Sequence, residues 1–233
     1  MRLFHGLTIA AAIALLVPVL GAQGGAQEKS TAIAGGGISV AGWQGKVEAT
    51  REDAGLTVND AKFVTEGKGI RITTGPAVTY WNPANTATGN YTVKATFHEA
   101  EYMAINTHAH PYGIAIGGND LGTPTASIMY CSAYGDGSVL VRGFGPAVFT
   151  VAPKTPNAAV NKAAGKGSPV TQEIAVSVKG DKVECSVNGT VVGSYDKATL
   201  VGPGKLKSTD GVWGIRTGHN TNVLVTGLAM TKG

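Results

Sequence analysis

Two histidines one residue apart, in "NTHAHPYG", are the first residues of this chain whose types and spacing could do chemistry. On an extended segment His108 and His110 project to one side, a separation that chelates Zn²⁺ or Cu²⁺ once a third ligand arrives. His98 and His219 are the candidates for that third place, but neither lies nearby in sequence, so no metal site is assigned. Surface polar groups or sugar contacts are the plainer role for this pair. Glu99 and Glu101, in "FHEAEYM", share the same spacing and would face one side of a strand. Glycoside hydrolysis needs two carboxylates across the scissile bond. Solvated charges at a strand end show the same spacing, and that is the expectation here. No G-x-S-x-G elbow occurs, so serine nucleophile chemistry has no support. Neither a catalytic residue nor a cofactor is assigned.

Recognition asks for less than catalysis. A sugar presents hydroxyls to planar donors and acceptors and its C–H side to an aromatic ring. Trp81, His110, Tyr112, Asn119, Asp120, Tyr130 and Arg142 supply such groups in or beside the middle of the chain. Arg216, flanked by small residues, and His219, at a turn, complete the candidate ligand-binding set. Each has a structural alternative. Trp81 and Tyr112 could sit in a core, Asn119 and Asp120 could cap the turn in "GGNDLG", and either arginine could pair with a carboxylate.

The elements that must position these groups are strands. Only 15% of residues are charged and 6% aromatic, while 34 of 233 are glycine, a composition of short strands joined by tight turns. Tyr91, Val93, Ala95 and Phe97 alternate with Thr92, Lys94 and Thr96, and Ile174, Val176 and Val178 alternate with Ala175, Ser177 and Lys179. No window shows sustained helical spacing. Asn188–Gly189 in "SVNGTVV" is the strongest hairpin signal, because both central residues of a type I′ turn need positive φ. Gly180–Asp181 and Asp136–Gly137 mark two further hairpins. The stretch "GPAVFTVAPKTPNAAVNKAAGKGSPV" reads as a crossing loop with one short strand, and its "GKGS" lacks the spacing of a phosphate loop. "GVWGIRTGHNTNVLVTGLAM" reads as a closing hairpin turned at Asn220–Asn222. Ten to fourteen antiparallel strands bury their apolar faces by doubling into two stacked sheets, a jelly roll.

Residues 1–22 read as a signal peptide: Arg2, then an apolar run from Leu7 to Leu20, then small residues with cleavage sites after Ala22 or Ala26. The run is shorter than the roughly 20 residues of a membrane span, so no span is expected once the signal is removed. Residues 23–37 read as a flexible leader and 38–233 as one sandwich domain. The expected location is secreted or periplasmic. There Cys131 and Cys185 could join in a disulfide or remain two buried thiols, and the sequence leaves both open. A net charge of +4 without basic clusters does not suggest a nucleic-acid surface, and no nucleic-acid partner is expected.

"GNYTVKATF", "YGIAIGGNDL", "YGDGSVLVR", "IAVSVKGDKVECSVNGTVV" and "GVWGIRTGHNTNVLV" resemble, in order and spacing, the concanavalin A-like lectin/glucanase superfamily. More narrowly they resemble bacterial exported domains of unknown function, laminin-G-like and 3-keto-disaccharide hydrolase-like. The likeness spans residues 40–231. It implies a curved all-β, two-sheet antiparallel sandwich whose concave face, in many relatives, holds carbohydrate. The acidic strand motif of the superfamily's glucanases is missing. The expectation is therefore a non-catalytic module with a glycan or a cell-envelope protein as partner. The alternative is a glycoside hydrolase or lyase whose carboxylates come from separate strands.

Overall fold

In a computed structural model, residues 28–48, 50 and 53–233 of the protein are described. The signal segment and residues 23–27 lie outside them. Fifteen strands follow in order: β1 (Gly37–Ile38), β2 (Gln44–Val47), β3 (Ala61–Glu66), β4 (Gly69–Thr74), β5 (Val78–Ala87), β6 (Tyr91–Glu99), β7 (Pro111–Asn119) and β8 (Ser127–Tyr134). The series continues with β9 (Ser138–Phe144), β10 (Val148–Pro156), β11 (Val170–Lys179), β12 (Lys182–Val187), β13 (Thr190–Asp196), β14 (Gly211–Thr217) and β15 (Thr221–Lys232). The α-helical content among the described residues is one short segment, Lys197–Leu200.

The strands form two stacked sheets. One has eight strands in the order β1-β3-β4-β15-β6-β11-β12-β13, the other seven in the order β10-β9-β8-β7-β14-β5-β2. Every pairing is antiparallel except β1 with β3. This is the all-β jelly-roll sandwich that the alternating sequence calls for. Phe63, Val93, Phe97, Ile174 and Val176 meet Tyr80, Tyr112, Ile114, Met129 and Ile215 in the space between the layers. Phe63 stacks on Tyr80 with ring centroids 4.5 Å apart, and Phe97 on Tyr112 at 5.5 Å, so aromatic pairs cross from sheet to sheet.

The three hairpins marked by glycine form as expected: β8–β9, β11–β12 and β12–β13. Asn188 and Gly189 take φ of 50° and 79°, the left-handed pair a type I′ turn requires. The proline-rich stretch is more ordered than its composition suggests, because β10 runs nine residues along the edge strand position beside β9. An edge tolerates prolines that a central strand would not.

The last segment is not a hairpin. β14 lies between β5 and β7 in one sheet, while β15 lies between β4 and β6 in the other. The tight turn at residues 218–220 carries the chain from layer to layer, with Asn220 at φ 46°. Alternation shows that two strands flank a turn; it does not show that they pair.

Cys131 on β8 and Cys185 on β12 form a disulfide with a Cα–Cα distance of 5.9 Å, linking the two sheets through the core. Residues 28–37, assigned by composition to the leader, are tied down. Thr31 N–H donates to Asn220 Oδ1 at 2.9 Å, and Ile33 N–H donates to the carbonyl of Asp60 at 3.0 Å.

Candidate functional site

Period two sends alternate residues of the seven-stranded sheet to its outer face, and register aligns them in rows. One row runs Arg142, Tyr130, Ala115, Gly214, Trp81, Gln44 across β9, β8, β7, β14, β5 and β2. The next runs Leu140, Ser132, Gly113, Arg216, Thr79, Lys46. The small residues Ala115 and Gly214 occupy the two middle strands of the first row and are buried there, as is Tyr130. A cleft of about 360 Å³ is lined by Trp81, Ile128, Arg142 and Phe144 on the sheet side, with residues 121–124, Ala126 and residues 145–148 as rims. A second cavity of about 190 Å³ holds Asp53, His110, Tyr134, Arg216 and His219. Glu48, Thr50 and Arg142 line both, so the two form one groove.

An ion pair sits where the cavities meet. Arg216 Nε and Nη2 approach Glu48 Oε1 at 2.7 and 2.6 Å, with the side chains only 6% and 10% exposed. The guanidinium carbon stands 4.8 Å from the Tyr130 ring centroid, a cation–π contact. Burial alone would lower the Arg216 pKa. The adjacent Glu48 charge, with Tyr130, outweighs it and holds the guanidinium above its ordinary value. Arg142, one row away, has a buried Nε without a hydrogen-bond partner among the described residues.

At the far end the chain gathers imidazoles. His108, His110 and His219 have ligand nitrogens within 4.8 Å of one another. The His110 and His219 ring centroids are 3.9 Å apart. Burial first, then the neighbouring His219 and His108, pull the His110 pKa down to about 4. Glu28 Oε2 lies 3.0 Å from His108 Nδ1 and 3.4 Å from His110 Nε2. Burial works against the Glu28 charge, but donors from Thr107 and Asn220 prevail and bring its pKa to about 2.

The fold collects five of the nine sequence candidates in this groove: Trp81, Arg142, Arg216, His110 and His219. Four stand elsewhere. Tyr130 is fully buried, its ring packed under the Arg216 guanidinium. Tyr112 is fully buried between the sheets, stacked on Phe97. Asn119 donates to the carbonyls of Gly117 and Asp210 at the end of β7. Asp120, at φ 51°, is an exposed turn residue paired with Lys207. Glu99 and Glu101 do not share a face: β6 ends at Glu99, which turns inward at 4% exposure, while Glu101 is exposed. Of the two histidines considered as a third partner for His108 and His110, the structure brings His219. His98 instead bonds Thr171 at 2.8 Å. Glu28, Glu48 and Asp53 were invisible as site residues, since each lies in a segment without periodicity.

No protein-family model matches the sequence, and no curated protein matches it closely. Solved structures do resemble it. A carbohydrate-binding module, CBM66, from Bacillus subtilis is 7% identical with a TM-score of 0.53, covering 84% of this chain and 99% of that one. A Bacillus subtilis protein of unknown function with a galectin-like fold is 10% identical with a TM-score of 0.55, covering 82% and 89%. A protein from Parabacteroides distasonis described as a candidate glycosyl hydrolase is 11% identical with a TM-score of 0.50, covering 82% and 99%. At such identities the likeness is one of fold. It agrees with the two-sheet jelly-roll sandwich described above.

Proposed function

We propose that this chain is an exported, non-catalytic sandwich that binds carbohydrate along the groove of its seven-stranded sheet. The observation that carries the reading is an open cleft of about 360 Å³ lined by both Trp81 and Arg142. It offers an indole and a guanidinium with unspent donor capacity. In this reading residues 1–22 are the signal peptide, and the domain of residues 38–233 carries residues 28–37 as a strap. The inter-sheet disulfide suits an oxidising compartment, secreted or periplasmic. The narrower kinship with laminin-G-like and 3-keto-disaccharide hydrolase-like exported domains belongs to the same proposal.

Hydrolysis is the less favoured reading because the carboxylates beside the groove are engaged. Glu48 is bound to Arg216. Asp53 accepts from Ser30 Oγ, from Thr50 Oγ1 at 2.8 Å and from Ala77 N–H at 3.2 Å. Glu99 lines neither cavity.

Glycan-array screening followed by calorimetric titration tests the proposal. A glycan ligand is expected whose affinity falls at least ~10-fold, about 1.4 kcal/mol, in both Trp81→Ala and Arg142→Gln. The half-exposed Arg142 makes its variant the safer for folding. Binding untouched by both substitutions, or reducing-sugar release from polysaccharides by the wild-type chain, overturns it.

A further inference from the structure

We propose that His108, His110 and His219, together with the Glu28 carboxylate, form a four-coordinate Zn²⁺ site that fastens the N-terminal strap to the end of the sandwich. This inference does not depend on what the groove binds.

The donors converge from three separate parts of the chain. His108 and His110 come from the β6–β7 connection, His219 from the turn between β14 and β15, and Glu28 from the strap. Zinc takes nitrogen and oxygen ligands at about 2.0–2.2 Å, which puts neighbouring ligand atoms of a tetrahedron roughly 3.3 Å apart. Two edges already have that length: Glu28 Oε2 is 3.0 Å from His108 Nδ1 and 3.4 Å from His110 Nε2. The three imidazole nitrogens lie within 4.8 Å of one another, so closing the edges among them asks for movement of no more than about 1.5 Å. His108, whose side chain is 58% exposed, is free to supply it.

Neighbouring hydrogen-bonding groups hold the donors in place. Glu28 receives the Thr107 N–H at 3.1 Å, the Thr107 hydroxyl at 2.8 Å and Asn220 Nδ2 at 3.0 Å. Ser30 Oγ lies 3.1 Å from His219 Nδ1 and is itself held by Asp53. Such hydroxyl and carboxylate partners are what orient ligating imidazoles and carboxylates.

Donor chemistry selects the metal. Three imidazoles and one carboxylate oxygen suit Zn²⁺ and its borderline neighbours, whereas Ca²⁺ asks for six to eight oxygens and Mg²⁺ for a mostly aqueous octahedron. With all four places filled by protein the site is a structural one.

The test uses the full chain stripped with EDTA and titrated with Zn²⁺ by calorimetry, then with Co²⁺ as a spectroscopic substitute. One Zn²⁺ per chain is expected, undisturbed by millimolar Ca²⁺ or Mg²⁺, with a rise in melting temperature. Co²⁺ should show the intense visible absorption of a four-coordinate centre. His108→Ala, at an exposed position, should weaken binding at least ~100-fold and Glu28→Gln ~10-fold. Trp81→Ala should leave metal affinity unchanged. Absence of stoichiometric Zn²⁺ binding, full affinity in His108→Ala, or the faint spectrum of octahedral Co²⁺ would each overturn the assignment.

Discussion

Removing the carboxylate of Glu48 while leaving Arg216 in place is the sharpest probe of the groove. The two side chains are 10% and 6% exposed, and both guanidinium contacts fall on one carboxylate oxygen at 2.6 and 2.7 Å. Deleting one partner strands the other as an uncompensated buried charge, a loss of about 3–5 kcal/mol. In Glu48→Ala little can take its place: the face of Tyr130 at 4.8 Å gives Arg216 only a weak second partner. For a domain of this size each kcal/mol moves the melting temperature by about 2–4 °C, so Glu48→Ala should melt roughly 10 °C below wild type. The double variant Glu48→Gln/Arg216→Met removes both charges at similar volume and should return to within about 1 kcal/mol of wild type. Urea unfolding at 25 °C of the wild type, Glu48→Gln, Arg216→Met and the double variant measures the coupling directly. A loss below about 1 kcal/mol in Glu48→Ala would show that the pair behaves as a solvated surface bridge, and the picture of a dry centre to the groove would fail.

Three further outcomes can be checked on the same samples. Burial pushes the Glu99 carboxyl up to about 7, against a weaker pull from the Met103 N–H. Its folded pKa lies above the unfolded value, so its contribution is complete below about pH 4.5 and is lost as pH rises through 7. Glu99→Gln should match wild type near pH 4.5 and exceed it by about 3 kcal/mol at pH 8–9, read from urea midpoints. The disulfide spans 54 residues, and loop entropy assigns it about 4 kcal/mol. Unfolding of the Cys131→Ala/Cys185→Ala variant should reproduce that deficit, and a difference below ~1 kcal/mol would refute it. Asn188 holds φ 50° and bonds Glu173 N–H, the Ala159 carbonyl and Gln172 Oε1, so Asn188→Ala should lose about 2 kcal/mol by guanidinium unfolding.

Strand alternation and glycine turns made the layers legible before any coordinates, because period two and positive φ are local properties of the chain. Tyr91 to Phe97 and Ile174 to Val178 face the core as their spacing implies. Pairing is not local. Nothing in residues 211–230 distinguishes a hairpin from a crossing between sheets, and the structure chose the crossing. The same limit governed the site. Trp81, Arg142 and Arg216 could be named as outward residues, but Glu48 became visible only when β2 was seen beside β5, two strands from β7. Tyr112 drew attention by residue type, and its parity with Ile114 and Ile116 was the signal that it belonged inside.

The bridge from Cys131 to Cys185 and the turn at residues 218–220 each span the gap between layers. Sliding one sheet past the other would strain a covalent bond at one place and a three-residue connection at another. The relative placement of the sheets is thereby set by the fold itself. A ligand bound as proposed would meet a finished surface, so variants of the groove lining should alter how long it stays far more than how fast it lands.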